Sequence, residues 1–500
     1  MTKLWEPLLV FSILGRVWAG AGAINPEHSC GETALCLSVS QQTERHFICG
    51  CDFNNAGERS LSIGPTGVEE TNMISAEENQ LLTQTNPGTP AGELLRRYWQ
   101  PVALSEELPP GGAPLKVRIL GEDLVLFRDD QGRPALLGLH CSHRGTDLSY
   151  GRVENGGLRC LYHGWLYDVA GCVLEQPGET GGGAHRNEIR HRAYPCREAG
   201  GVILTYMGPG EPPLLPEYEF LTVPAEQRAV AKIHYQSNFL QGNEGNIDPV
   251  HLSFLHQFLS EAQVAMLRVV RGSDSTDNTL LAKDIAPTIE VELTDYGLRI
   301  YTVRDSAPGK RYLRVTNFVM PNLAAFGGAT VGEGYAIHWH VPIDDTSHWK
   351  YIFLFSRERA LTDEMRRKNR ADQTPDYRLT RSAANRYLQD RESMKTHTFT
   401  GMGSNFQAHD AFATESQGPV QNRTEEHLVS SDKAIVAARK LLLNAITDAR
   451  NGRDPQHVIR DAESNQLLHL QVFSELIAAS ADWKQHTKER IAEIQRAYGK

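Results

Sequence analysis

Two cysteines and two histidines stand close together in the sequence, and all four side chains can bind a metal. Cys141 and His143 are separated by one residue, Cys160 and His163 by two, and sixteen residues lie between the pairs. Each pair falls at a turn between segments with strand-like alternation, so two loop tips can converge on one site. Three interpretations compete: a chance grouping, a structural zinc ion and an iron–sulfur cluster.

The order of the four residues separates these interpretations. A chance grouping requires two coincidences, because the ligands fall in two close pairs. Zinc accepts two thiolates and two imidazoles, but its usual motifs place Cys with Cys and His with His. Here each pair holds one Cys and one His. A [2Fe–2S] cluster of the Rieske type has two Cys on one iron and two His on the other, so the mixed pairs favour this cluster over zinc.

A second candidate site is the D-x-x-H-x-x-x-x-H pattern of Asp248, His251 and His256. On a regular helix the five-residue step rotates His256 by about 140° from His251. Both imidazoles can then reach one ion only where the helix is overwound, underwound or broken. Pro249 predicts a helix that begins at Asp248, with Asp248 as its N-cap. From these residues alone, metal ligation and ordinary helix packing stay equally open.

The segments that carry these residues predict two domains. Alternating apolar residues cut by turn signals predict an antiparallel β domain over about residues 95–208. The proline-rich segment 209–220 marks a boundary. Beyond it, strand patterns over 280–344 and a helical pattern over 430–451 predict an antiparallel sheet covered by helices. The predicted fold class is therefore α+β.

Local signals also predict where individual helices begin. Ser75 and Glu78 form a capping-box pattern at the start of a short helix. Asp432 is the predicted cap of the helix over 430–451. The last segment, residues 467–498, is predicted to be one final helix.

The composition of the chain excludes several classes of partner. With 500 residues and 40% hydrophobic content, the chain is long enough for at least two folded units. Its formal charge of -10, without a dense basic run, argues against nucleic acid or an anionic membrane as partner. No apolar run approaches the roughly 18 to 20 residues that span a bilayer.

Residues 1–23 loosely match a secretory signal, but Glu6 and Arg16 interrupt or flank the apolar stretch. We expect residues 1–72 to be a leader that is disordered or absent from the mature protein.

Together, these motifs resemble the Rieske non-heme iron aromatic ring-hydroxylating oxygenases, in particular their terminal oxygenase (alpha) component. The C-x-H and C-x-x-H pairs, followed by Gly164-Trp165, are similar to the Rieske signature of the family. The D-x-x-H-x-x-x-x-H pattern is similar to its iron motif. The segment with Asp410 and the following E-S-x-G-P motif at 415–419 resembles the corresponding segment of the phthalate-dioxygenase-like branch. The resemblance covers Met73 to about Arg450 and no motif covers the final helix.

This resemblance implies an architecture and a set of ligands. A small antiparallel β Rieske domain over 73–208 would precede a catalytic domain over 209–500 with C-terminal helices. The cluster ligands would be Cys141, His143, Cys160 and His163, and the ligands of a mononuclear Fe(II) would be His251, His256 and Asp410, with Glu415 as the fallback. Asp248 matches the acid that links the iron site to a neighbouring subunit's Rieske histidine. His409 departs from the Gln expected before the Asp ligand.

The resemblance also implies a function. The protein would use O2 and electrons from a separate NAD(P)H-dependent reductase, directly or through a ferredoxin, to hydroxylate a small aromatic substrate in the cytoplasm. The expected reaction is cis-dihydroxylation of an aromatic carboxylate; the alternative is O-demethylation of a methoxylated, lignin-derived aromatic with release of formaldehyde. The expected assembly is a head-to-tail homotrimer or trimer-based hexamer. An iron–sulfur electron carrier without oxygen chemistry is the alternative from another class.

Three arginines and two histidines in the strand-rich region receive simpler interpretations. Arg304, Arg311 and Arg314 could meet a substrate carboxylate, but we predict that they are solvated strand residues. His338 and His340 share one strand face, and the strand context around Trp339 favours ordinary sheet residues.

Overall fold

The computed structural model describes residues 73–181, 183, 185–260, 284–327, 333–465, 470 and 472–498. The predicted leader over residues 1–72 therefore lies outside the described part of the chain. All described residues belong to one compact unit. None of the helices in these ranges combines the length and the apolar character that crossing a bilayer requires.

The N-terminal part of the described chain forms three small antiparallel sheets. The first sheet contains β1 (Gln100–Leu104), β11 (Val202–Thr205) and β10 (Cys196–Ala199). The second contains β2 (Leu115–Ile119), β3 (Glu122–Arg128), β4 (Pro134–Gly138) and β9 (Ala193–Tyr194). The third contains β5 (Arg152–Glu154), β6 (Gly157–Arg159), β7 (Leu166–Asp168) and β8 (Val173–Glu175). The second and third sheets share one small apolar core, which includes Phe127, Leu137, Leu158 and Tyr167.

The C-terminal part is built on one eight-stranded antiparallel sheet. In order across the sheet, its strands are β12 (Arg228–Tyr235), β18 (Ser347–Phe355), β17 (Ala336–Asp344), β16 (Leu323–Phe326), β15 (Lys310–Val319), β14 (Gly297–Ala307) and β13 (Thr288–Leu293). The eighth strand, β19 (Phe473–Ala478), pairs with residues 310–315 of β15, while β16 pairs with residues 316–319 of the same strand. Both strands therefore share one edge of β15.

Ten α-helices complete the described chain. They are α1 (Ala76–Thr83), α2 (Pro90–Arg96), α3 (Glu219–Thr222), α4 (Phe239–Ile247), α5 (His251–Phe254), α6 (Asp363–Lys368), α7 (Ser393–Thr396), α8 (Phe406–Glu415), α9 (Lys433–Arg450) and α10 (Trp483–Tyr498). Helix α4 packs on β17 and on α8, and α9 packs on α2, β13 and β14. The helices thus cover the large sheet.

The structure confirms the α+β class, with small antiparallel sheets followed by a larger helix-covered antiparallel sheet. It also confirms the capping box of α1, in which Ser75 accepts from the Glu78 amide at 3.1 Å and Glu78 accepts from the Ser75 amide at 2.8 Å. The predicted boundary between the domains over 73–208 and 209–500 stays a prediction.

Two local predictions are wrong. Asp432 stands at the N-cap position of α9, but its carboxylate accepts from the Val429 amide at 2.7 Å and makes no side-chain cap of the helix. The predicted final helix is a strand over Phe473–Ala478 followed by a helix over Trp483–Tyr498. Pairing with the long strand β15 satisfies the backbone of the first segment, and such a distant partner is invisible in a local pattern.

Candidate metal centres

Two loops of the N-terminal part carry the four predicted cluster ligands, and both loops have the same hydrogen-bond pattern. In each loop the Cys amide donates to the carbonyl five residues later, at 2.9 Å for Cys141 and 2.8 Å for Cys160. A glycine four residues after each Cys donates back to its carbonyl, at 2.8 Å from Gly145 and 3.1 Å from Gly164. These glycines have φ of 76° and 75°, which glycine adopts without a steric cost. The Cys–His spacings differ between the loops, but the Cys–Gly spacing that shapes the turn does not.

The paired loops separate the sulfur ligands from the imidazoles. Cys141 and Cys160 are 3% and 2% exposed and belong to the apolar core of the two sheets. His143 is exposed and His163 half-buried at the outer side of the loops, with ring centroids 4.4 Å apart. Two buried thiols and two outer imidazoles are the donors that a Rieske cluster requires, so the residues present fit that group.

Two aromatic residues of the core hold these ligands in place. The indole of Trp165 stacks on the His143 ring at 4.8 Å with an interplanar angle of 3°. The Tyr167 hydroxyl lies 3.0 Å from Cys141 Sγ, where it can donate to a thiolate. A donor to a cluster sulfur is one of the factors that set a cluster's reduction potential.

The second candidate site lies where two helices meet with a break between them. Helix α4 ends at Ile247, Asp248 follows in an extended conformation as its C-cap, and α5 begins at His251. Asp248 Oδ1 accepts from the Val250 amide at 2.7 Å, so this carboxylate closes the turn between the helices. The prediction that a helix begins at Asp248 is wrong, because Asp248 is the C-cap of α4 and its carboxylate closes the turn that precedes α5.

This break allows two histidines and one carboxylate to face one point. Helix α5 ends at Phe254, so His256 lies beyond it and the five-residue step is not one of a regular helix. The donor atoms of His251, His256 and Asp410 all lie within 4.8 Å of one another. We call these three residues the metal group. Two imidazoles and one carboxylate are the donors of a non-haem Fe(II) site, so the residues present fit that metal.

Hydrogen bonds determine which nitrogen of each imidazole is free to bind a metal. His251 Nδ1 donates to the Asp248 carbonyl at 2.6 Å, which leaves Nε2 free. His409 Nε2 donates to the Gly403 carbonyl at 3.0 Å, so its Nδ1 has a lone pair and accepts from His256 Nδ1 at 3.3 Å. Both histidines of the metal group therefore present Nε2, and a second partner orients each ring.

The protonation states of the metal group also suit a cation. Burial raises the pKa of Asp410, but Lys350 and His256 outweigh that effect and hold it well below its usual range. Burial lowers the pKa of His256, and the favourable charge of Asp410 only partly opposes this shift. The group thus offers a carboxylate and a neutral imidazole at physiological pH. These are the deprotonated forms in which the two side chains bind a metal.

The structure selects between the two carboxylates considered from the sequence. Asp410 Oδ1 lies 3.0 Å from His256 Nε2. Glu415 is five residues further along α8 and accepts instead from the Gln236 amide at 2.9 Å and the Tyr387 hydroxyl at 2.5 Å. Glu415 therefore has other partners and is not in the metal group.

Two of the three arginines predicted to be solvated are buried. Arg304 is fully buried and Arg314 is 9% exposed, whereas Arg311 is half-buried and pairs with Asp305 at 3.4 Å. Arg304 is on β14 and Arg314 is on the adjacent strand β15. Successive residues of a strand point to opposite faces of the sheet, but other elements cover both of these strands. The prediction is wrong for Arg304 and Arg314, since a pattern of alternation cannot show which strand positions another segment covers.

Sequence reasoning missed Lys350, whose buried ammonium lies 3.0 Å from Asp410 Oδ2. A signal was present, because Lys350 interrupts the otherwise apolar segment W-K-Y-I-F-L-F of β18. His338 and His340 are buried sheet residues, as predicted, and both hydrogen bond to Asn246 on α4.

The chain matches two protein families and is similar to known oxygenase subunits. The family described as "Rieske [2Fe-2S] domain" matches residues 98–191, and the family described as "LigXa C-terminal domain like" matches residues 205–498. The chain is 35% identical over 433 residues to the phthalate 4,5-dioxygenase oxygenase subunit of Pseudomonas putida, covering 83% of this chain and 95% of that protein. The chain is a Rieske non-haem iron oxygenase. The similarity to the phthalate 4,5-dioxygenase subunit agrees with the phthalate-dioxygenase-like branch that Asp410 and the E-S-x-G-P motif at 415–419 indicated.

Other proteins similar to this Rieske oxygenase match it over most of their own length. It is 32% identical over 403 residues to the 5,5'-dehydrodivanillate O-demethylase oxygenase subunit of Sphingobium sp., covering 80% of this chain and 86% of that protein. The oxygenase of a carbazole 1,9a-dioxygenase complex with ferredoxin has the same fold, with a TM-score of 0.50, 22% identity, and coverage of 77% of this chain and 97% of that one. The family match to residue 498 places β19 and α10 within the family's domain.

Membership of this family establishes the class of enzyme. The Rieske oxygenase is an oxidoreductase that hydroxylates its substrate as a terminal oxygenase with a Rieske [2Fe–2S] cluster, a mononuclear iron and O2. This excludes the alternative of an electron carrier without oxygen chemistry.

Replacing His409 by leucine is expected to weaken iron binding at the metal group by roughly 10- to 100-fold, because His256 loses the acceptor that orients its ring. Fe(II) titration of the chelator-treated protein measures this, with the cluster absorption as an internal reference. In His409→Gln the amide oxygen can still accept from His256, so this variant should retain most of the affinity. Equal affinities of the wild-type and His409→Leu proteins would contradict the orienting role.

Proposed function

We propose that this Rieske oxygenase hydroxylates a small aromatic carboxylate, and the buried Arg314 carries the proposal. Its guanidinium makes no hydrogen bond and no ion pair with the described residues, and its buried Nε has no partner. A buried charge without a counter-charge is costly. A bound carboxylate would supply the missing charge and would match the donor geometry of the guanidinium.

Arg314 lies beside a second buried arginine, which strengthens this argument. Burial and the nearby Arg314 charge lower the pKa of Arg304 to about 10. Arg304 uses its two terminal nitrogens to donate to the Pro249 carbonyl at 2.6 Å and to the Asp284 carbonyl at 2.7 Å. Neither acceptor carries a formal charge, and although the Asp284 and Asp248 charges act on Arg304, its pKa stays lowered, so a positive charge beside Arg314 is disfavoured here. An anionic substrate would offset this effect.

A path of side chains connects Arg314 to the metal group. The Arg314 guanidinium lies 5.7 Å from the ring centroid of Phe326, which packs edge to face on His338 at 4.6 Å. His338 is close enough to His256 and Asp410 for their charges to affect its pKa, which burial lowers well below the usual range. A ring held between Arg314 and the metal group would have its carboxylate at one end and its reacting carbon at the other.

The reaction that we propose is cis-dihydroxylation of the ring. The relatives include a phthalate 4,5-dioxygenase and a 3-chlorobenzoate-3,4-dioxygenase, whose names specify ring dioxygenation of aromatic acids. O-demethylation is the second candidate, supported by the similarity to the 5,5'-dehydrodivanillate O-demethylase subunit. When bound, the cluster supplies single electrons and the mononuclear iron supplies oxygen activation. Arg314 would orient the substrate in either reaction.

The roles that we assign to the ligands follow from their geometry. Cys141, Cys160, His143 and His163 would hold the cluster, and the metal group would hold the iron through His256 Nε2, His251 Nε2 and Asp410 Oδ1. Asp248 would link the two centres of adjacent subunits. Its Oδ2 lies 3.8 Å from His251 Nδ1, and its side chain is partly exposed, so one side can face the metal group and the other a partner.

We further propose a head-to-tail trimer or trimer-based hexamer. The cluster loop exposes Leu161 and Tyr162 beside His163, and the segment around the metal group exposes Phe254 and Leu259. Two different apolar surfaces on one chain suit a heterologous contact, which closes into a ring by rotation. In such a ring the outer imidazoles of one copy would lie near Asp248 of the next.

Electrons would come from a separate NAD(P)H-dependent reductase, directly or through a ferredoxin. The solved relative with a ferredoxin bound supports a protein donor of this kind. Since such a reductase draws on cytosolic NADH, we propose a cytoplasmic location.

A substrate panel tests the proposed reaction. Benzoates, phthalates and methoxybenzoates are compared with their neutral amides, and O2 uptake, cis-diols and formaldehyde are measured. A cis-diol from an aromatic acid supports dihydroxylation, and formaldehyde from a methoxybenzoate supports O-demethylation instead. Equal turnover of the acids and the neutral amides would contradict an aromatic carboxylate substrate.

Replacing Arg314 by glutamine is expected to raise the KM for an aromatic carboxylate by roughly 10- to 100-fold, because a charge-assisted hydrogen bond is lost. The kcat should change much less, since the reacting carbon still reaches the metal group. Steady-state O2 uptake with excess electron donor measures both values. Arg311→Gln is the matched control, because Arg311 is on the same strand but is only half-buried and already pairs with Asp305. A KM that rises equally in both variants, or in neither, would contradict the role of Arg314.

A further inference from the structure

We propose that Lys350 is a positioning residue that holds Asp410 so that only one of its oxygens can bind the mononuclear iron. This inference rests on the proposed ligand role of Asp410, but not on the identity of the substrate. Lys350 is fully buried in β18 and faces the same side of the sheet as His338 and His340.

The two oxygens of Asp410 have different partners. Oδ1 lies 3.0 Å from His256 Nε2, within the metal group. Oδ2 lies 3.0 Å from the Nζ of Lys350, a residue of the sheet. A carboxylate that binds through both oxygens would have to break the bond to Lys350. The ammonium therefore favours coordination through Oδ1 alone, which leaves one more position on the metal open.

The position of Lys350 is itself well determined. Its Nζ lies 3.4 Å from the Tyr235 hydroxyl, which donates its own proton to the Gln407 carbonyl at 2.9 Å and so accepts from the ammonium. Gln407 and Asp410 are on the same helix, α8. Lys350 and Tyr235 thus connect the sheet to the helix that carries the ligand, and the ammonium cannot turn away to solvent.

A positive charge at this position also has a consequence for metal affinity. Lys350 and a bound dication share one carboxylate and repel one another. Removing the charge should therefore strengthen metal binding, whereas a residue that merely supports the ligand weakens metal binding when it is lost. The sign of the change separates a charge that competes for Asp410 from an ordinary structural contact.

The experiment uses the full chain with its cluster intact and its mononuclear iron removed by a chelator. Co(II) is added as the probe, its Kd is measured by calorimetry, and its EPR signal is recorded with the cluster oxidised. In Lys350→Met we expect the Kd for Co(II) to fall by at least roughly tenfold and the EPR signal to change, because Oδ2 becomes free to bind. In Lys350→Gln the amide still donates to Oδ2, so the EPR signal should stay close to that of the wild type.

Lys232→Met is the matched control. Lys232 is also buried, on the adjacent strand β12, but it pairs with Glu107 at 2.7 Å on the opposite face of the sheet. This variant loses a buried ion pair and should keep both the Kd and the EPR signal of the wild type. A Kd that rises or stays unchanged in Lys350→Met would overturn the proposal, as would a Kd that falls equally in Lys232→Met.

Asp410→Ala separates failure of this inference from failure of the ligand assignment. If Asp410 is a ligand, this variant binds Co(II) more weakly than the wild type and has a different EPR signal. Unchanged binding in Asp410→Ala would overturn the ligand role and the proposal for Lys350 together. Weaker binding in Asp410→Ala with no effect of Lys350→Met would overturn the role of Lys350 alone.

Discussion

Replacing His256 by alanine is expected to remove the mononuclear iron and to abolish product formation while the cluster remains. His256 Nε2 is 3.0 Å from Asp410, and its ring is held by His409 on the other side, so alanine removes one donor of three. Two donors bind a divalent metal far more weakly than three. Iron analysis of the purified variant should therefore find about two irons per chain instead of about three, with the visible absorption of the cluster unchanged.

His348→Ala is the control for this result. His348 is fully buried on β18 and donates to the Ser237 carbonyl at 2.7 Å, but it is not in the metal group. Its loss should lower stability and leave the iron content at about three per chain. A His256→Ala protein that keeps about three irons and makes product would exclude the metal group as the catalytic centre.

Replacing Asp248 by asparagine is expected to leave both metal centres in place and to slow electron transfer between them by at least roughly 10- to 100-fold. The amide oxygen of asparagine can still accept from the Val250 amide, so the turn before α5 is retained. The negative charge and the second acceptor are lost, and a histidine from the cluster of a neighbouring copy would no longer find its partner. Stopped-flow reoxidation of the reduced cluster, with O2 and substrate present, measures the rate.

Asp305→Asn is the corresponding control, since Asp305 is exposed and pairs only loosely with Arg311 at 3.4 Å. Its rate should equal that of the wild type. The linking role of Asp248 would be disproved by normal cluster reoxidation in Asp248→Asn. Loss of iron from that variant would mean instead that Asp248 supports the ligand His251, whose Nδ1 donates to the Asp248 carbonyl.

The cluster loops could be predicted from the sequence because their determinants are local. Two turns carry all four proposed ligands, and each turn contains a Cys, a His and a glycine four residues after the Cys. The capping box at Ser75 was predictable for the same reason, as both of its hydrogen bonds lie within three residues. The α+β class followed from the alternation of apolar residues along whole segments.

The metal group could be predicted only in part. The spacing of His251 and His256 showed that a regular helix could not bring both rings to one ion, and the structure places a break between α4 and α5 and ends α5 before His256. The sequence did not show that Asp248 turns the chain at this break. The resemblance to a family, rather than any local pattern, indicated the distant Asp410.

The candidate ligand types, the two loops that carry the Cys and His pairs and the fold class can therefore all be predicted from local features, because they depend on short spacings and on the periodic burial of apolar residues. The distant groups that complete the candidate sites are visible only in the folded chain. The fold places Lys350 and His409 against the candidate ligands, gives Glu415 other partners, and buries Arg314 without a counter-charge among the described residues. These contacts join residues far apart in the chain, and the packing of α4 and α8 on the large sheet creates them. Such packing depends on the whole core, so no local spacing can reveal it.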